Sequence, residues 1–334
     1  MGQKKIIQIG TGGFGLSWLK ILRDHEEVEV VAVVDVVEEN KQKAKEVLNG
    51  ANVQYFFDHM EAFQEVKADI AVIVTPPQTH KKIALDALEH DLHVFMEKPI
   101  AHSKEDAISL TELSQNYQKS VMVSQNYRYR PEIQAIKKAV DDQIVGEIEY
   151  VEWNFRRATK FGGWRDQYDE ILIEDMSIHH FDLMRYILGK NATTVYAKSM
   201  RPSWSWFNGN PTASVTMTLE NVLVHYMGSW VTSGPETSWN GECKLYGENG
   251  VIALIGDKPM IIKEDNTTET LSIPEMKVVD RAYSITEMVQ AIDENRKALT
   301  DISDNIHSFE IVSASLDSIK EGKEINLKQK EEVQ

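Results

Sequence analysis

The stretch from Lys5 to Asp35 narrows the possible folds more than any other part of the chain. The apolar run KIIQI meets the turn Gly10-Thr11-Gly12-Gly13-Phe14-Gly15, a helical pattern FGLSWLKIL follows, and VEVVAVVD ends on Asp35. A G-x-G-x-x-G turn alone is a weak signal, but between a strand and a helix, with an acid twenty residues beyond Gly15, it becomes a dinucleotide-binding pattern. Gly10 makes the tight bend, Gly12 lets the backbone approach a diphosphate, and Gly15 lets the helix lie on the strand. Gly13 and Phe14 complete the turn, and the diphosphate rests on the N–H groups at the helix start. Asp35 then accepts from the ribose hydroxyls, which favours NAD over a 2′-phosphorylated cofactor. Val36 and Val37 follow the acid, and only Lys41 and Lys43 keep NADP as a lesser option.

Further on, short Val- and Ile-rich runs alternate with helical patterns, at 28–35, 53–56, 69–74, 92–96 and 120–124 after the first strand. That alternation predicts parallel βαβ units in a doubly wound Rossmann sheet, with ligands gathered at the carboxyl ends of its strands. At 334 residues the chain has room for about two domains of ~150 residues. The expected division is a dinucleotide-binding domain over 1–125 and a substrate-binding and oligomerisation domain over 126–334. In the latter, RPEIQAIKKAV predicts a helix begun at Pro131, EIEYVEWNFRRA a strand, and 174–188 a helix. Runs at 193–200, 213–220, 222–232, 241–247, 250–255 and 260–263 predict a largely antiparallel open sheet, with helices at 282–299 and 303–321. VLVHYMGSWV is apolar on both alternating faces, which suits one face on helices and the other on a partner subunit.

The net charge of −16 argues against nucleic acid or an anionic membrane as partner. The single cysteine, Cys243, rules out an intramolecular disulfide, no run approaches the ~18 apolar residues of a membrane span, and the amino terminus has no secretory apolar region; a cytoplasmic protein is expected.

Two groups of residues suit chemistry. Glu97-Lys98-Pro99 follows the fifth strand, where an ammonium can meet a substrate oxygen or the nicotinamide ribose and stabilise a developing alkoxide. Pro99 fixes the local backbone and admits a cis bond. Asp175-Met-Ser-Ile-His179-His180 opens a helix; Asp175 and His179 stand at i, i+4 on one face, so the carboxylate can orient an imidazole that takes a hydroxyl proton. Read in isolation, such a Lys is more often solvated and such a His more often structural. His179 and His180, being adjacent, point about 100° apart, which disfavours a metal site. His80, after TPPQT, either starts a helix or touches cofactor.

With the turn at Gly10 to Gly15, Glu97-Lys98-Pro99 and the D-x-x-x-H at Asp175 to His179, the chain resembles the Gfo/Idh/MocA family of nicotinamide-dependent oxidoreductases over nearly its whole length. The resemblance implies a Rossmann domain, a second α/β domain with an open sheet, and a homodimer or homotetramer built through that sheet. It implies small sugar-, inositol- or polyol-like substrates, with Lys98 at the active site, His179 as acid/base and Asp175 as its partner. Thr75, Pro76, Pro77 and His80 resemble the segment lining the cofactor, together with Glu97 and Lys98, and Asn126-Tyr127-Arg128 the segment past the sixth strand, with Asn126 expected at the cofactor and Arg128 at the substrate. Ser177 stands where the family commonly has glycine. Trp164 and Arg165 lie just upstream, as an apolar wall and a hydrogen-bonding fork for substrate or equally as structural residues, and the loop bearing Trp204, Trp206 and Phe207 flanks the pocket or an oligomer contact. The expected activity is NAD-dependent oxidation of a secondary alcohol. The alternatives are an enzyme that holds NAD tightly and oxidises transiently for elimination or glycoside cleavage, and a non-catalytic NAD-binding sensor.

Overall fold

A computed structural model describes residues 2–49 and 52–327. The chain runs β1 (Lys4–Ile9), α1 (Gly13–Asp24), β2 (Val28–Val34), α2 (Glu38–Val47), β3 (Gln54–Phe56), α3 (His59–Glu65), β4 (Ile70–Ile73), α4 (Pro77–Glu89), β5 (His93–Met96), α5 (Lys104–Ser114), β6 (Val121–Val123) and α6 (Pro131–Asp141). It continues through β7 (Ile148–Arg156), α7 (Ile178–Leu188), β8 (Ala192–Met200), β9 (Thr212–Leu219), β10 (Val222–Ser229), β11 (Glu242–Gly247), β12 (Gly250–Ile255), β13 (Lys258–Ile262) and β14 (Thr268–Thr270), then α8 (Asp280–Asp293), α9 (Ile302–Glu321) and β15 (Ile325–Asn326). The described residues form two compact units, one within 2–126 with 278–306 and one of 127–277 with 307–327.

The first unit is built on a parallel sheet of order β3-β2-β1-β4-β5-β6. Its central strands are buried on both faces: Ile6, Ile7, Gln8 and Ile9 of β1 and all of β4 are inaccessible, as a sheet covered by crossover helices requires. Helix α1 presents Gly15, Trp18, Leu19 and Leu22 to the core, the spacing of a single helical face. The sequence places 278–306 with the second domain, whereas these residues pack in the first unit. Val123 N–H donates to Thr300 carbonyl at 3.0 Å, Met122 bridges Asp301, and Lys4 pairs with Asp293. The returning chain thereby covers the β6 edge, which periodicity along a linear chain cannot reveal.

The second unit holds a sheet of order β14-β13-β12-β11-β7-β10-β9-β8-β15, in which β7 and β10 pair in parallel and every other pairing is antiparallel. Along β10, Val222, Val224 and Tyr226 are buried while Leu223 and Met227 are exposed. Gly228 sits on the buried face, where a Cβ would come within 2.7 Å of Leu172, so the segment leading into α7 lies directly on the strand. That segment departs from the α-helix expected over 174–188: Leu172–Ser177 form a π turn, and only from Ile178 does the helix become α. Among the described residues no helix is long and apolar enough to cross a membrane.

Candidate active site

At the glycine turn a Cβ on Gly10, whose φ is +89°, would lie 2.3 Å from Val74 carbonyl, and one on Gly15 would lie 2.3 Å from Gly10 carbonyl. Both positions are closed to any larger residue. Gly12 and Gly13 face open space, the opening that a diphosphate would enter. Helix α1 begins there without a side-chain cap and without an acid in its first turn, so its positive end is left for an anion. Beneath the turn, buried Gln8 donates through Nε2 to the carbonyls of Gly10 (2.9 Å) and Gly15 (2.8 Å) and holds its two ends together.

Asp35 is nearly inaccessible. Its Oδ2 accepts from Thr11 N–H at 2.7 Å and Thr11 Oγ1 at 3.0 Å, and its Oδ1 from Val37 N–H at 2.9 Å and Asn40 Nδ2 at 3.2 Å. A carboxylate has about four acceptor positions, so ribose hydroxyls would displace the two rotatable donors, Thr11 Oγ1 and Asn40 Nδ2, while the backbone donors keep the group aimed. The cations that kept NADP open are engaged elsewhere: Lys41 pairs with Glu38 at 3.1 Å and lies over the Phe57 ring, and Lys43 pairs with Glu39 at 2.6 Å.

The Lys98 edge is anchored from below. Glu97 is buried; Trp18 Nε1 donates to its Oε1 at 2.7 Å and Lys98 N–H to its Oε2 at 3.1 Å. Burial raises the Glu97 pKa, an effect opposed first by the charge of Lys98 and then by the Trp18 hydrogen bond. Glu97 therefore ties the helix after the glycine turn to the backbone of Lys98, which is itself half-buried beside a cis Lys98–Pro99 bond. His80 clasps the neighbouring loops: Nδ1 lies 2.9 Å from Pro99 carbonyl and Nε2 2.9 Å from Thr75 carbonyl. Burial lowers its pKa, and a neutral ring has one N–H, so it donates to one of these carbonyls at a time. His80 thus fixes the loops at Thr75 and Pro99 relative to each other. Pro76 caps α4 and Pro77 opens it. The Asn126 amide donates to the Asp280 carboxylate.

In the second unit His179 stacks on Tyr127 with ring centroids 4.4 Å apart, and the Arg130 guanidinium lies 3.3 Å from the Tyr127 centroid. Asp175 falls within the π turn, where backbone bonding runs i to i+5, so α-helical spacing does not describe its relation to His179. Its Oδ2 accepts from Arg165 Nε at 3.3 Å, which brings two of the expected substrate residues together. Tyr168, not singled out from the sequence, lies in the same cluster: its phenol is pushed up to about 12, by burial first and then by the charges of Asp175 and Glu174. Trp164 stands in the short turn Gly163–Gln167, and its side chain lies outside the described residues. Of the aromatic loop, Phe207 is buried and Trp204 exposed.

Arg128, expected to face substrate, is buried in a bidentate pair with Asp182, Nε to Oδ2 at 2.7 Å and Nη2 to Oδ1 at 2.6 Å. His180 is buried in a different way from its neighbour. Its Nε2 meets Trp239 carbonyl at 3.0 Å, an acceptor only, so Nε2 carries the proton and Nδ1 accepts from Tyr226 hydroxyl at 3.1 Å. Burial pushes its pKa down to about 4. Ser177 is equally enclosed, with Oγ 3.0 Å from Leu172 carbonyl and 3.2 Å from Tyr226 hydroxyl. The serine hydroxyl is thus satisfied within the π turn.

The parallel sheet, the glycine turn and the aimed acid together define an NAD-binding Rossmann protein. Comparison with known proteins narrows this: a model described as an oxidoreductase family with an NAD-binding Rossmann fold matches residues 4–125, and the GFO/IDH/MocA C-terminal domain matches 133–253. The chain belongs to the GFO/IDH/MocA family of oxidoreductases. It is 24% identical to a D-apiose dehydrogenase of Rhizobium rhizogenes over 98% of both chains. It is 28% identical to a 2,7-anhydro-N-acetylneuraminate hydratase of Mediterraneibacter gnavus over 54% of this chain and 48% of that one. In fold it is similar to an Agrobacterium radiobacter oxidoreductase solved in complex with NAD+, L-tartaric acid and magnesium, with a TM-score of 0.88, 22% identity and coverage of 97% of this chain and 98% of that one.

Proposed function

We propose that this protein is an NAD-dependent dehydrogenase acting on a secondary alcohol of a sugar-, inositol- or polyol-like substrate. The observation that carries the reading is the anchored edge after β5, where buried Glu97 ties Lys98 to the helix of the glycine turn through Trp18. When bound, NAD supplies the acceptor for hydride. In this reading His179 removes the hydroxyl proton, worth roughly 10²- to 10⁴-fold in rate. Lys98 stabilises the developing negative charge on the same oxygen, and Asp175 with Arg165 forms a polar wall for substrate hydroxyls. A panel of sugars, inositols and sugar acids, assayed with NAD and NADP in parallel by cofactor absorbance, tests the class. On a substrate so found, Lys98→Met and His179→Ala should each depress turnover at least a hundredfold; unchanged turnover in either would remove its assigned role.

A second reading, elimination or hydration with NAD retained, is favoured by the similarity to a hydratase. Stoichiometric NADH release would exclude it. For assembly, the reading is a homodimer or homotetramer through the outward face of the nine-stranded sheet, supported by exposed Leu223, Met227 and Tyr150. Light scattering of the native protein and of Leu223→Glu tests it. A cytoplasmic location goes with the reading, supported by the single, buried Cys243.

A further inference from the structure

We infer that Arg281, at the start of α8, is a diphosphate-binding residue of the cofactor site. It is remote in sequence from the glycine turn, yet in the first unit its Nη1 donates to Ser17 Oγ at 2.8 Å. Its guanidinium carbon lies 5.1 Å from the Phe14 ring centroid and 5.5 Å from that of Trp18. Phe14, Ser17 and Trp18 are spaced i, i+3, i+4, so Arg281 lies along one side of the first turns of α1. Ser17 is four residues from the start of α1 at Gly13, which places the guanidinium within about 6 Å of the anion-binding end measured along the axis.

The placement is rigid. His25 Nε2 meets Ala282 carbonyl at 3.1 Å, Thr286 Oγ1 donates to Glu27 at 2.7 Å, and the Asn126 amide bonds Asp280. Arg281 is half-buried and forms no ion pair among the described residues, in a chain of net charge −16. A guanidinium has five N–H donors, and the serine contact uses one. A fixed, partly desolvated cation beside an uncapped helix start suits a dianionic diphosphate, and the exposed Phe14 ring supports its stacked face.

The inference rests on the NAD-binding family and not on the dehydrogenation proposed above, so binding alone tests it. NAD, ADP-ribose, ADP and adenosine are titrated calorimetrically against wild type, Arg281→Lys and Arg281→Met, with thermal midpoints recorded without ligand. Arg281→Met should weaken NAD, ADP-ribose and ADP about tenfold, the loss of one charge-assisted contact at a partly exposed site, and leave adenosine unchanged. Arg281→Lys, which keeps the charge, should fall between, and the gap should shrink with added salt. Undiminished ADP binding by Arg281→Met would overturn the assignment, as would an equal loss for adenosine.

Discussion

Breaking the Arg128–Asp182 pair should cost more stability than deleting it. The two side chains are 4% and 1% exposed and share two short hydrogen bonds, and Asp182 Oδ1 also accepts from Ser308 Oγ at 2.8 Å. Asp182→Asn preserves shape but takes a buried carboxylate charge away from the guanidinium it pairs with, a change that costs about 3–5 kcal/mol. At roughly 2–4 °C per kcal/mol for a unit of this size, the thermal midpoint should drop by about 10 °C. Replacing both partners with apolar residues, as Arg128→Met with Asp182→Leu, removes the pair and its desolvation penalty together. That double variant should lie within ~1 kcal/mol of wild type, because Ser308 still accepts from Arg185 at 2.8 Å and Arg185 still donates to Asn191 at 2.8 Å. Urea unfolding followed by tryptophan fluorescence, on wild type, Arg128→Met, Asp182→Leu and the double variant, gives the four corners of the cycle, with Asp182→Asn measured beside them. Asp182→Asn within 1 kcal/mol of wild type, or a double variant as damaged as the sum of the singles, would refute the reasoning.

Acid should destabilise the fold through His180. Its pKa is about 4 folded against 6.5 unfolded, so its contribution is complete above pH 6.5 and is lost as pH falls toward 4, when the unfolded chain takes a proton that the native ring refuses. The loss reaches about 3 kcal/mol; His180→Gln should flatten the stability profile over that window, leaving the slopes due to His93, also near 4, and to His80, likewise lowered by burial, and an unaltered profile would contradict the burial argument. Glu97→Gln sets an amide among donors that need an acceptor, so Lys98 should lose its fixed backbone: kcat should fall about tenfold or more with little change in substrate KM, and a normal kcat would show that Glu97 does not position Lys98. Asp35→Ala should weaken NAD about tenfold and erase most of any preference over NADP; equal preference before and after the change, measured by titration of both cofactors, would exclude Asp35 as the ribose acceptor.

The Rossmann strands, the two strain-relieving glycines and the antiparallel character of the second sheet were legible along the chain because each depends on neighbours a few residues apart. Period-2 and period-3.6 patterns and the φ of +89° at Gly10 are local requirements, and residues such as Val, Ile and Gly meet them wherever the rest of the chain goes. Lys98 stood out because it follows a strand whose place in the sheet was already implied. Partnerships across the chain were not legible: Trp18 with Glu97 spans 79 positions, Arg128 with Asp182 spans 54, and Arg281 with Ser17 spans 264. Nothing in the spacing of an arginine tells whether its guanidinium faces solvent, substrate or a buried carboxylate. Packing decides that, and it turned Arg128 into an internal strut, put 278–306 against the first sheet and wound Leu172–Ser177 into a π turn over Gly228. Short-range sterics choose the elements, whereas burial and charge pairing between distant segments choose which side chains remain available for chemistry.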